Sequence, residues 1–137
     1  MKIYFAGSIR GGRADKDIYY EIIELLKTHG TVLTEHVGNL DSGEDVPFEE
    51  IYQRDVEWLT GSDAIVAEIT QPSLGVGYEI GKAEALGKPI LTLYRSIPDR
   101  SVSPMIAGNS TFQTHSYTNV SELTHIFDDF FAALKNR

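Results

Sequence analysis

Apolar residues along the chain fall into two rhythms. Four short continuous runs, at 3–6, 31–34, 64–69 and 90–94, are bounded by glycine, serine, proline or charged residues. Runs of aliphatic, β-branched and aromatic residues between turn formers predict strands buried on both faces, as in parallel sheets. Between them the apolar positions recur three and four apart. Ile18, Ile22, Leu25 and Leu26 mark a first helix, with Gly30 as its stop. Phe48, Ile51, Tyr52, Trp58 and Leu59 mark a second, with Pro47 placed to suit a first turn. Val76, Ile80, Ala83 and Leu86 mark a third, ended by Gly87, and Val120, Leu123, Phe127, Phe131 and Leu134 a last one. A fifth strand fits 112–117. This alternation predicts an α/β fold, a Rossmann-like (flavodoxin-like) three-layer sandwich on a mostly parallel five-stranded sheet. At 137 residues it is expected to form a single domain, 1–137. The stretch 95–111 shows no periodicity, and loops of that length tend to be functional or disordered.

Composition narrows the partners. Twenty acidic residues against 12 basic ones leave a net charge of −8. The mean field of such a chain repels polyanions, so neither nucleic acid nor a membrane surface is an expected partner. A phosphorylated ligand would need a few donors concentrated in one place. Without cysteine there is no disulfide, thiolate ligand or cysteine nucleophile. No H-E-x-x-H pattern is present, so no metal and no cofactor are expected. Met1 leads straight into the first apolar run, with no leader-like segment, and no apolar run approaches the roughly 18 residues of a membrane span. The chain therefore reads as cytoplasmic.

In open α/β sheets ligands bind beyond the carboxyl ends of the strands. That rule selects Gly7-Ser8-Ile9-Arg10-Gly11-Gly12-Arg13, Glu35-His36, Gln71-Pro72-Ser73-Leu74-Gly75-Val76-Gly77, and the chain from Arg95 onward. Two of these segments combine glycine with serine. Glycine lets backbone N–H groups approach a phosphate, serine adds a hydroxyl, and Arg10 could add a forked charged contact. Tight turns with surface arginines would look the same.

Two carboxylates lie on apolar stripes. Asp55 follows Ile51 by four and precedes Trp58 and Leu59 by three and four; Glu79 follows Val76 by three and precedes Ala83 by four. Acids on a buried face are paired or functional. Glu79 also lies in the early turns of its helix, where the macrodipole favours its ionised form. It suits a nucleophile, with Asp55 as acid partner; a structural ion pair is the other reading for each. His36 could stack on a base, and the Tyr4 hydroxyl could reach the site or only a core partner.

The segments Tyr4-Phe5-Ala6-Gly7-Ser8-Ile9-Arg10-Gly11-Gly12-Arg13, Val32-Leu33-Thr34-Glu35-His36-Val37, Asp55-Val56-Glu57-Trp58-Leu59 and the motif from Ala67 to Gly81 resemble the 2'-deoxynucleoside 5'-phosphate N-hydrolases of the nucleoside 2-deoxyribosyltransferase superfamily. The resemblance implies cleavage of the N-glycosidic bond of a 2'-deoxynucleoside 5'-monophosphate to free base and 2-deoxyribose 5-phosphate. It implies Glu79 as nucleophile through a covalent deoxyribosyl intermediate, Asp55 assisting departure of the base, and Tyr4 near the carboxylate. Gly7, Ser8, Arg10, Gly12, Ser73 and Gly75 fall on the phosphate-binding segments, and Ile9 and His36 near the base. It further implies a homodimer in which Ser103 reaches the neighbouring active site. Two segments depart from the familiar pattern: 38–49 is short and differently composed, and Pro104 stands beside Ser103 in place of a small residue. A retaining route through Glu79 would need the two carboxylates roughly 5 Å apart, as in glycosidases.

Two other functions are compatible with the same residues. A deoxyribosyltransferase would pass the sugar to a second base and would not need the phosphate cradle. A nucleotide-binding sensor would use the cradle without turnover. The dimer expectation also draws on the last helix, where Ile126, Phe127, Phe130 and Phe131 cover more than a narrow stripe.

Overall fold

Alternate residues of the first strand, β1 (Lys2–Ala6), enter two different cores: Ile3 and Phe5 face one, Tyr4 and Ala6 the other. Its continuous apolar run is thus explained by burial on both faces. The computed structural model describes residues 1–8, 15–35 and 46–136. Among them the order is β1, α1 (Lys16–Leu26), β2 (Thr31–Val32), α2 (Phe48–Gly61), β3 (Ala64–Glu68), α3 (Leu74–Ala85), β4 (Ile90–Arg95), α4 (Pro104–Ala107), β5 (Gln113–Tyr117) and α5 (Leu123–Lys135). The five strands form one sheet in the order β2-β1-β3-β4-β5, and every pairing is parallel. The expected mostly parallel sheet is therefore wholly parallel, with the flavodoxin-like strand order.

The two cores assign the layers. Tyr19, Ile22, Ile23 and Leu26 of α1 pack with Leu123, Phe127, Phe130 and Phe131 of α5 against one face. Leu59 of α2 and Val76, Ile80 and Ala83 of α3 pack against the other. From β1 the chain moves outward to β2 in one direction, then crosses back to β3 in the other. Right-handed crossovers place the connecting helices of opposite moves on opposite faces. The carboxyl ends of β1 and β3 consequently form the switch point where such folds hold their ligands.

Several local expectations are corrected. β2 ends at Val32 rather than at Thr34, because a side chain takes over the pairing. The Thr34 hydroxyl accepts from the Phe5 N–H at 2.8 Å and donates to the Phe5 carbonyl at 2.7 Å. Gly30 does not terminate α1, which stops at Leu26. A Cβ at Gly30 would lie 2.3 Å from the Met1 carbonyl oxygen, so the glycine serves the close approach of two backbones. Gly87 does act as the stop after α3, at φ +73°. Leu86 lies beyond the helix and is exposed, not on its buried stripe. The stretch 95–111 contains the one-turn helix α4, with Pro104 at its first turn. Finally, Phe127, Phe130 and Phe131 are buried within this chain and Ile126 packs against the same core. Each such side chain contributes roughly 1.5–3 kcal/mol by burial. The wide apolar face of α5 is thus packed against its own domain.

Candidate active site

Three of the singled-out side chains meet on the face covered by α2 and α3. Tyr4, on β1, is buried, and its hydroxyl donates a hydrogen bond to the Glu79 carboxylate. Glu79 stands on α3 about one and a half turns from its start, one helical turn from Val76 and Ala83, whose burial holds that face on the sheet. Asp55 comes from the middle of α2, its side chain 24% exposed. Burial pushes the Glu79 carboxyl up to about 7, with the neighbouring Asp55 charge adding to it and the Tyr4 hydrogen bond pulling it down. Burial, followed by the charges of Glu79 and Asp55, holds the Tyr4 phenol far above its ordinary range. At neutral pH the cluster thus offers a carboxylate poised near its ionisation point, a second acid beside it, and a neutral phenol donor.

Asp55 has a partner that the periodicity did not reveal. Arg54 contacts one Asp55 carboxylate oxygen through both Nε and Nη2 at 2.9 Å, and its guanidinium lies 4.8 Å from the centre of the Trp58 ring. The pair is charge-assisted and anchored by stacking.

A cleft of about 300 Å³ opens beside the acids, walled by Phe48, Ile51 and Tyr52 of α2 and by Gly75 and Tyr78 of α3. That is enough for a small ligand with an apolar, planar part. The Tyr52 and Tyr78 hydroxyls lie 3.2 Å apart across it.

The glycine–serine segments frame the same edge. Ser73 caps α3, its Oγ accepting from the Val76 N–H at 3.3 Å. Around Gly75 the nearest atom to a built Cβ is that Oγ, at 3.8 Å, so the first turn of α3 is open on its outer side. The orphan N–H groups of a helix start attract anions. Ser8 is fully buried. Its N–H donates to the Tyr19 hydroxyl at 3.0 Å, and its Oγ has no hydrogen-bond partner among the described residues. Gly7 packs under the same Tyr19 ring, 3.0 Å from the position of a Cβ. Ile9, Arg10, Gly12 and His36 lie outside the described residues. Ser103 is exposed and caps α4 through the Met105 N–H at 3.2 Å.

A second charged group lies on the opposite face of the sheet, near Ser8. It joins Glu68, Arg95, Asp15, Thr70 and Tyr117. Sequence reading passed over Glu68. The available signal was an acid ending the run Ala64-Ile65-Val66-Ala67, where both faces are expected to be apolar.

The fold and the cleft define a class: a wholly parallel α/β domain with a ligand cleft at the carboxyl edge and two carboxylates in it. Within that class, the chain belongs to the nucleoside 2-deoxyribosyltransferase family, whose model matches residues 3–123. It is 50% identical to the 5-hydroxymethyl-dUMP N-hydrolase of Danio rerio, with 98% of each chain covered. It is 45% identical to the Homo sapiens protein of the same name, covering 96% of this chain and 79% of that one. Among solved structures, a 2-deoxyribosyltransferase from Bacillus psychrosaccharolyticus shares the fold, at TM-score 0.66 and 20% identity over 90% of each chain.

Proposed function

We propose that this protein hydrolyses the N-glycosidic bond of 2'-deoxynucleoside 5'-monophosphates, releasing the free base and 2-deoxyribose 5-phosphate. The observation that carries this reading is the meeting of Glu79, Asp55 and Tyr4 at the cleft beside the open first turn of α3. The N-hydrolase names of relatives at 45–50% identity support the same chemistry and make 5-hydroxymethyl-dUMP the first substrate to test.

In this reading the 5'-phosphate sits against Ser8, Ser73 and the Gly75 N–H, with Arg10 and Gly12 completing the cradle. The base lies in the cleft toward Ile51 and Tyr78, with His36 near it. A Glu79 oxygen attacks C1' as the glycosidic C–N bond breaks, and the bonding electron pair leaves with the base. Asp55, paired with Arg54, assists departure of the base through its negative charge beside the sugar. Negative charge beside C1' stabilises the oxocarbenium-like transition state. Water then attacks C1', loses a proton and frees the Glu79 carboxylate. The Tyr4 hydroxyl holds the carboxylate in position and favours its ionised form. In the homodimer that we include in this reading, Ser103 would approach the phosphate of the other subunit.

Product analysis tests the reaction. Base and 2-deoxyribose 5-phosphate should appear from the monophosphate, with much slower release from the nucleoside that lacks phosphate. Transfer of the sugar to an added second base, in preference to water, would make the protein a transferase instead. Recovery of intact nucleotide after long incubation would make it a binding protein.

The pH profile gives an independent check. An ionised Glu79 is needed for attack, so kcat/KM should rise with pH through about 7 and then level off. The Tyr4→Phe variant loses the hydrogen bond that favours the carboxylate, and its acid limb should move to higher pH. Asp55→Asn removes the neighbouring charge, and its limb should move lower. Limbs that shift in the same direction in both variants would contradict the assignment.

A further inference from the structure

The second charged group is built around one buried carboxylate that the proposed reaction leaves unused. Glu68 is the last residue of β3 and is fully buried. One oxygen accepts the Thr70 N–H at 2.7 Å; the other accepts the Thr70 hydroxyl at 3.0 Å and the Tyr117 hydroxyl. The Arg95 Nε stands 4.0 Å away, an ion-pair distance without a hydrogen bond. Three donors and a guanidinium thus point at this carboxylate.

The contacts continue outward in two directions. Toward α3, the Thr70 hydroxyl accepts the Arg95 backbone N–H at 2.8 Å, and Arg100 Nη1 donates to the Thr70 carbonyl at 3.1 Å. The Thr70 turn leads, through Gln71 and Pro72, into Ser73. Toward α1, Arg95 Nη2 binds the Asp15 carboxylate at 2.5 Å. Asp15 is the N-cap of α1 yet makes no side-chain cap bond, because its carboxylate is taken by Arg95. One turn along, Tyr19 of α1 holds the Ser8 N–H. A single carboxylate therefore ties the segment before Ser73 to the helix that fixes Ser8.

We propose that Glu68 is a positioning residue for the phosphate half of the site, holding Ser8 and the Ser73 turn in one frame through Thr70, Tyr117, Arg95 and Asp15. The proposal rests on the phosphate cradle of the proposed function. It separates two tasks by face of the sheet: Glu79, Asp55 and Tyr4 act on the α2/α3 side, while the clamp sets the phosphate contacts from the α1/α5 side. Loss of the clamp should therefore weaken binding far more than it slows chemistry.

Glu68→Gln keeps the shape but brings an amide nitrogen among donors and removes the charge facing Arg95. It should raise KM for the 5'-monophosphate about tenfold, leave kcat within about threefold, and weaken competitive inhibition by inorganic phosphate in proportion to KM. Tyr117→Phe removes only one hydroxyl and should move KM the same way by a few-fold, so it carries the test if the glutamine variant does not fold. A purely structural role would lower the active fraction, and hence apparent kcat, with KM and the phosphate inhibition constant unchanged; that result overturns the clamp. The wild type is assayed alongside on monophosphate and nucleoside. If it releases base equally from both, the cradle and the proposed function fall, whatever the variants do. If it requires phosphate and both variants keep wild-type KM, the clamp alone falls.

Discussion

Glu79→Ala is expected to lower base release by at least about a thousandfold, since the nucleophile and the charge beside C1' disappear together. Glu79→Gln should be nearly as inactive while keeping the contact with Tyr4. The two variants differ in a second respect. A carboxyl whose affinity for a proton is raised by folding contributes stability only while it is protonated. For Glu79 that contribution is complete below about pH 4.5 and is lost as pH rises through about 7. Above pH 7 the wild type carries a mostly buried carboxylate beside Asp55, which the glutamine does not. Each tenfold change in proton affinity corresponds to about 1.4 kcal/mol, so Glu79→Gln should be more stable than wild type by about 1–3 kcal/mol at pH 8 and by little at pH 5. Urea unfolding of both proteins at the two pH values checks this. A glutamine variant less stable than wild type at pH 8, or one retaining near-wild-type turnover, would refute the role given to Glu79. The expected pattern is a trade of stability for reactivity, as in many active sites.

Asp55→Asn carries the second largest expected effect. The variant keeps the size of the side chain and its place on α2, but it lacks the negative charge beside the reacting sugar. Electrostatic assistance of this kind is worth about 10²–10³-fold. The fall should appear in kcat, with KM changed by less than about threefold, because binding in this reading belongs to the phosphate cradle and the aromatic walls of the cleft. Steady-state kinetics on the monophosphate separates the two parameters. A rise in KM at constant kcat would make Asp55 a binding residue only. The Arg54 guanidinium loses its ionised partner in this variant, so Arg54→Ala is a useful companion: it leaves the acid in place and tests whether the pair matters for orientation.

Much of this architecture was legible in the order of residues, for a physical reason. Central parallel strands are buried on both faces, so β1, β3 and β4 appear as continuous apolar runs, and helices that cover them carry stripes. Asp55 and Glu79 stood out because a charge on such a stripe is an anomaly. Features that depend on one bond or one turn were not legible. The Thr34 hydroxyl ends β2 early by serving as a pairing partner, and threonine looks like any strand residue. α4 has a single turn and so no period. Arg54 adjoins Asp55 in sequence, a spacing that periodicity does not register. The partners of Glu68 lie far along the chain, Tyr117 by 49 residues, and only folding brings them together. The width of the apolar face on α5 was visible, but whether it met a second subunit or the chain's own core depended on how α1 and α5 pack.

The early end of β2 has a further effect at the margin of the sheet. Edge strands display unpaired N–H and C=O groups that can template pairing with another chain. Here the β2 edge offers only two residues, Thr31 and Val32, before the chain turns away. The opposite edge, β5, reads Gln-Thr-His-Ser-Tyr, with no aliphatic side chain to reward a docking strand. The hydroxyl of Thr34 thus does more than close a hydrogen bond with Phe5: by shortening one rim, it helps keep an otherwise strongly apolar sheet from growing beyond five strands.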